Sequence, residues 1–318
     1  MFRVVRVPVI LMFAAAALAG GSSFAQAPAP AASAPQAGAA DEPTDEVIVR
    51  GRRMSDVQNE LRLYVNKFVL EVTKTASGRG FARWQDGVCV SVSNLQPDAA
   101  QYLVDHISRV AADVGIKPGE PGCNPQVIVM FTTDGKAMAS YMVENEERIF
   151  RPFGPRSGVN LNFAALDDFA RSDRAVRWWH VSLPVSAQSG VKAITTAGDK
   201  SAPVISVAGP SRIHSGIRDD LLYVLIVVDS KKLNGTTWQQ LGDYLSVVAL
   251  AQIDPSANPR DFDSILNVFD NPAAYSGLTD WDRSYLKALY SFDQERTPRL
   301  QVNELVGKMT RQELEPGQ

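Results

Sequence analysis

The sequence predicts an α/β (α+β) fold in which a mixed, twisted sheet is packed by helices. Three observations carry this. Short runs rich in β-branched and aromatic residues recur along the chain, at Val88–Ser93, Val127–Thr132, Arg177–Pro184 and Tyr223–Asp229, and such runs read as strands. Between the first two lies Pro97–Val114, where Leu103, Ile107, Val110 and Val114 share one helical face. Tyr223–Asp229 is almost continuously apolar, as a strand covered on both faces must be, and a long apolar helix follows it.

Taken in order, the first 25 residues have the layout of a secretory signal. Arg3 and Arg6 make a positive start, Val7–Leu18 an apolar run, and Ser23-Phe24-Ala25 a small-x-small site that predicts cleavage between Ala25 and Gln26. The run is shorter than the ~20 residues a membrane-spanning helix needs. An uncleaved N-terminal anchor is the alternative reading. Because no cysteine follows the run and the arginines are not adjacent, neither a lipoprotein nor a twin-arginine signal is indicated. The expected location is periplasmic or secreted, with no membrane span after signal removal.

Residues 26–45 are rich in alanine and proline and hold no large apolar side chain, so they read as a disordered linker. Residues 46–318 read as a single globular domain with a possible sub-boundary near 185–210. Its first segment, VIVRGRR ending at Arg53, resembles the "EIVVTGRR" segment of TonB-dependent receptors. With no barrel sequence behind it, an edge strand or a sorting relic is expected. The net charge of −3 becomes −5 once Arg3 and Arg6 are lost, and the basic residues are scattered. That excludes the electrostatic footprint of a nucleic-acid binder.

The chain has two cysteines, Cys89 and Cys123. An even number in an oxidising compartment predicts a disulfide. Cys89 falls in the first strand, and the turn-rich KPGEPGCNP sets Cys123 just ahead of the second. A βαβ crossover brings the two together. A redox or zinc-binding pair would want C-x-x-C spacing or neighbouring histidines, and has neither.

Few groups are available for catalysis. Of the three histidines, His106 sits one position off the apolar face of its helix and is expected to be half-exposed. His180 and His214 fall on predicted strands, the latter in a hairpin spanning Arg212–Asp229. With Asp243 they are the candidate catalytic residues. No G-x-S-x-G elbow occurs, Ser189 and Lys192 form an isolated S-x-x-K in a polar loop, and Thr133–Lys136 (TDGK) lacks phosphate-loop spacing. No cofactor and no metal ligand set is predicted. Trp178 and Trp179 should point to opposite faces, one into the core and the other free as a stacking platform.

The last third has the most distinctive order. Thr236–Gln252 predicts a helix with Thr236 or Thr237 as N-cap and almost no polar face. A polar loop, then Ser264-Ile265-Leu266-Asn267, then a helix capped by Thr279 with Asp282 at its third position follow; Trp281, Tyr285, Leu286 and Leu289 supply the inner face. This order resembles the C-terminal half of zincin metallopeptidases, particularly the matrix-type metzincins. There a HExxHxxGxxH helix leads to "SIM" and a capped helix ending "LYG". It is still more similar to exported bacterial proteins carrying a degenerate version of that half.

The resemblance covers roughly residues 222–290 and implies a zincin-like fold without its chemistry. Asp243 stands at the first histidine, Tyr244 at the glutamate and Val247 at the second histidine; Leu250 stands where the glycine turn would begin. A zincin needs two imidazoles one turn apart and a carboxylate base. The expected function is therefore a non-catalytic binding or scaffolding module of the cell envelope, partnered by a protein or other envelope component. The alternative is a hydrolase with a non-standard site built from His180, His214 and Asp243.

Overall fold

The computed structural model describes residues 53–75, 79–152, 162–193, 213–233 and 235–315. The signal, its Ala25/Gln26 cleavage site, the 26–45 linker, VIVRGRR up to Arg52, the loop at 153–161 and the polar stretch at 194–212 lie outside the described residues. The elements are α1 (Met54–Val72), β1 (Ala82–Arg83), β2 (Val90–Ser93), α2 (Pro97–Asp113), β3 (Val127–Thr132), α3 (Gly135–Asn145), α4 (Glu147–Phe150), α5 (Phe163–Arg171), β4 (Val176–Ser186), β5 (Ile217–Asp229), α6 (Trp238–Leu250), α7 (Asp280–Ser291) and α8 (Pro298–Leu314).

The sheet is mixed and mostly parallel, with β5 as its axis. β3 runs parallel to β5 from Val127↔Val224 to Thr132↔Asp229, and β2 pairs parallel to β3 beyond it. β1 adds a short parallel pairing at Asp219 and Asp220. β4 lies antiparallel on the other edge, from Val176↔Val228 to Ser186↔Ile217. The hairpin expected within Arg212–Asp229 is not there. β5 is one strand of 13 residues, kept continuous because β4 pairs one edge along its length while β1 and β3 share the other. Its hairpin partner is β4. His214 consequently falls outside the sheet, in an isolated bridge to Arg296.

Alternation along the strands divides the interior in two. Val127, Val129 and Phe131 of β3, Val176 and Trp178 of β4, and Val224, Ile226 and Val228 of β5 face a large core shared with α1, α2, α6, α7 and α8. Trp179 and Val181 of β4 and Leu225 and Val227 of β5 face a smaller one, closed by Ala139, Met142, Phe150, Leu166 and Phe169. Trp178 and Trp179 do point to opposite faces, but both faces are covered. Each is buried, and each indole N–H is spent on a carbonyl, Trp178 on Ile253 (2.9 Å) and Trp179 on Phe150 (3.0 Å). Neither is a free stacking platform.

β2, α2 and β3 form the predicted βαβ unit, and Cys89 and Cys123 are joined in a disulfide across a separation of 34 residues. Closing a loop of that length stabilises the fold by about 3–4 kcal/mol in the chain-entropy model. Downstream, the capping box of α7 forms as expected: Thr279 Oγ1 accepts from Asp282 N (3.1 Å) and Asp282 Oδ2 from Thr279 N (3.2 Å). The same buried carboxylate accepts from Ser264 Oγ (2.6 Å) and Ile265 N (2.8 Å), which ties the Ser264–Asn267 turn to the helix start. Burial pushes this carboxyl up from its ordinary range, while those donors act in the opposite direction.

Candidate functional site

Helix α6 organises the site. Thr237 and Gln240 make a reciprocal capping box at its start, and every residue from Gln240 to Leu250 is buried. A buried helix end must find partners for its last carbonyls. Here three side chains supply them. His180 Nε2 donates to Val248 O (2.7 Å), Trp84 Nε1 to Ala249 O (3.0 Å) and the Tyr290 hydroxyl to Leu250 O (2.6 Å). His180 on β4 is therefore a surrogate cap. Enclosure away from water drives its pKa down from the ordinary 6.5 to about 4, so the ring is neutral, with its proton on Nε2.

Asp243 is committed elsewhere. Its Oδ1 lies 2.6 Å from His106 Nε2, and its Oδ2 accepts from Leu278 N at 2.9 Å. Both members of the pair are buried, so the half-exposed position expected for His106 is overturned. Close approach of α2 to α6 is the cause: Gly242 faces the imidazole, and a Cβ there would stand 2.8 Å from His106 Cδ2. A residue one step off the apolar face is thereby enclosed, and its polar edge finds the carboxylate one residue after the glycine. His106 Nδ1 is buried without a partner.

The three candidate residues thus have separate partners: His180 the end of α6, Asp243 the imidazole of His106, and His214 the exposed bridge at Arg296. Among the described residues, no three His, Cys, Asp or Glu side chains are grouped as a metal site requires. Of the minor motifs, Asp134 of TDGK caps α3 by accepting from Ala137 N (2.9 Å), and Ser189 sits in an exposed turn after β4.

A cleft of about 470 Å³ opens beside the middle of α6, near the start of β4. Tyr244 lines it together with Trp178, Arg174 and Ile253, the loop Asp254–Arg260, and Leu266, Asn267, Phe269 and Asp270. The Tyr244 ring packs edge-on against Phe269 and Trp178, with centroids 4.8 and 6.1 Å away. Burial pushes its phenol well above the usual range, so it is a neutral hydroxyl. The side-chain amide of Asn267 donates to Pro259 O (3.0 Å) and Phe262 O (2.9 Å), leaving its Oδ1 without a partner.

Sequence reasoning missed the His106–Asp243 pair, α1 and α8. A signal exists for the pair and for α1: Gly242 in an otherwise bulky helix marks a close approach, and Val65, Phe68, Val69 and Val72 repeat at helical spacing. Among the described residues no helix is long and apolar enough to cross a membrane. No family model matches the chain, and neither a curated protein nor a solved structure matches it significantly.

Proposed function

We propose that the chain is an exported, non-catalytic protein of zincin-like architecture, acting as a binding or scaffolding module in the cell envelope. One observation supports this above the others: Asp243, at the place of a zincin's first metal ligand, already spends both carboxylate oxygens on His106 and Leu278 N. Tyr244 and Val247, at the places of the base and second ligand, offer neither a carboxylate nor an imidazole. The reading is supported by the order of long strand, buried helix, Ser264–Asn267 turn and capped helix, on which the resemblance rests. What remains of an active-site cleft is a cavity suited to holding a partner.

The test is metal analysis of the purified mature chain, alongside a peptidase assay with and without added zinc. The expected results are no stoichiometric zinc and no zinc-dependent hydrolysis. One tightly held zinc per chain would overturn the proposal. The hydrolase alternative is disfavoured, because His180, His214 and Asp243 have the separate partners described above.

A further inference from the structure

The sheet has one edge that the fold leaves open, on the side opposite β4. β2 is the terminal strand there, and each of its four residues is part-exposed or exposed. In a parallel ladder, alternate residues turn their N–H and C=O groups to the same neighbour. Val127 N donates to Cys89 O (2.9 Å), so the register directs Cys89, Ser91 and Ser93 at β3, and Val88, Val90 and Val92 away from it. Val88 finds partners on that outer side: its N–H donates to Lys117 O (3.0 Å) and its carbonyl accepts from Gly119 N (2.8 Å). The covering segment ends there, in a turn closed by Cys123 N on Glu120 O (3.0 Å) and tied down by the disulfide. Among the described residues, nothing bonds to the outward N–H and C=O groups of Val90 and Val92.

Edge strands are commonly shielded by a charge, a proline or a bulge. β2, with the sequence VSVS and an unbroken register, has none of these. The charge lies on its flanks instead. α2 packs over β2 and exposes Asp98, Asp105 and Asp113 against one exposed cation, Arg109. Asp86 before the strand and Glu120 after the covering segment are exposed as well, with Lys117 between them in space of sequence. Among the described residues none of these five acids forms an ion pair. The field beside the open edge is therefore negative, which favours a cationic strand and disfavours a second copy of the same edge.

We propose that β2 is a docking edge for an extended, basic segment of a partner protein, which adds as a further strand and exchanges hydrogen bonds with Val90 and Val92. Main-chain pairing supplies the binding, and the acidic flank selects segments that carry lysine or arginine. The edge shares no residue with the cleft beside α6. It is also independent of the zincin-like reading: bound zinc or hydrolysis would overturn that reading and leave this one standing.

The test is hydrogen exchange and NMR titration of the isotope-labelled mature chain. In the free protein the amide of Ser91, bonded to β3, should be protected, while those of Val90 and Val92 exchange freely. A blocked peptide of alternating lysine and valine should protect Val90 and Val92. Its glutamate counterpart should bind at least about tenfold more weakly, and the lysine peptide N-methylated at every interior residue should not bind. Val92→Pro, which removes an outward N–H and no ladder bond, should weaken the lysine peptide about tenfold. Asp98→Asn, Asp105→Asn and Asp113→Asn together, all on the surface of α2, should weaken it to a similar degree and keep the test decisive if Val92→Pro fails to fold. Four results would overturn the proposal: protection of Val90 and Val92 in the free chain, whether within one copy or between two; binding that leaves both amides unchanged; equal affinity for the glutamate peptide; and no binding at millimolar peptide.

Discussion

His180 should make the fold sensitive to acid in a defined window. Its folded-state pKa lies near 4, against an ordinary 6.5. Between these values the unfolded chain binds a proton at this position that the folded chain refuses. Stability therefore rises with pH through the window: the contribution is complete above about pH 6.5 and is lost as pH falls through the folded value. Each pH unit inside the window is worth about 1.4 kcal/mol, so the loss from pH 7 to pH 4 is about 3 kcal/mol, allowing for half-protonation of the folded form at the lower end. The physical cost is the desolvation of an imidazolium inside the core, which the carbonyls at the end of α6 offset only in part. The assay is urea unfolding at several pH values for the parent and His180→Gln, whose amide keeps a donor near Val248 O. The variant will differ at neutral pH, but the decisive quantity is the change with pH. The parent should lose about 3 kcal/mol more than the variant between pH 7 and pH 4. Equal pH dependence in the two proteins would refute the assignment of a buried, neutral His180.

Three further outcomes are expected. Gly242→Ala sets a methyl 2.8 Å from His106 Cδ2 and should cost about 1–3 kcal/mol; His106→Ala in the same chain should relieve part of it, and additivity in the double-mutant cycle would show that the two do not touch. Asp282→Ala removes the acceptor for Ser264, Ile265 and Thr279 and should cost about 3 kcal/mol, read from the urea midpoint. Replacing both Cys89 and Cys123 by serine should lower stability by about 3–4 kcal/mol, and adding reductant to the parent should match it in calorimetry.

Much of the frame was legible because it follows from local periodicity. Val127–Thr132 and the capping box of Thr279 and Asp282 agree with expectation residue for residue, since alternation and cap chemistry act within a few positions. The disulfide was legible because the cysteine count, the compartment expected from the N-terminal segment and the βαβ order converge. The candidate site was less so. His106 meets Asp243 across 137 positions, and nothing local to either residue encodes the pairing; only Gly242 hints at it. The burial of both Trp178 and Trp179 likewise depends on which helices close each face, a tertiary fact that strand alternation does not contain. The cleft, too, arises only when β4, α6 and the loop after it are assembled.

The contact between α1 and α8 has a consequence for how the protein is made. Val65, Phe68, Val69 and Val72 near the start of the described domain complete a core with Leu305, Val306 and Met309 near its end. The first helix thus waits for the last third of the chain, because Phe68 packs also on Phe262, Trp281 and Tyr285. A nascent chain of this kind keeps its largest core open until translation is nearly over, because early segments gain little from folding alone.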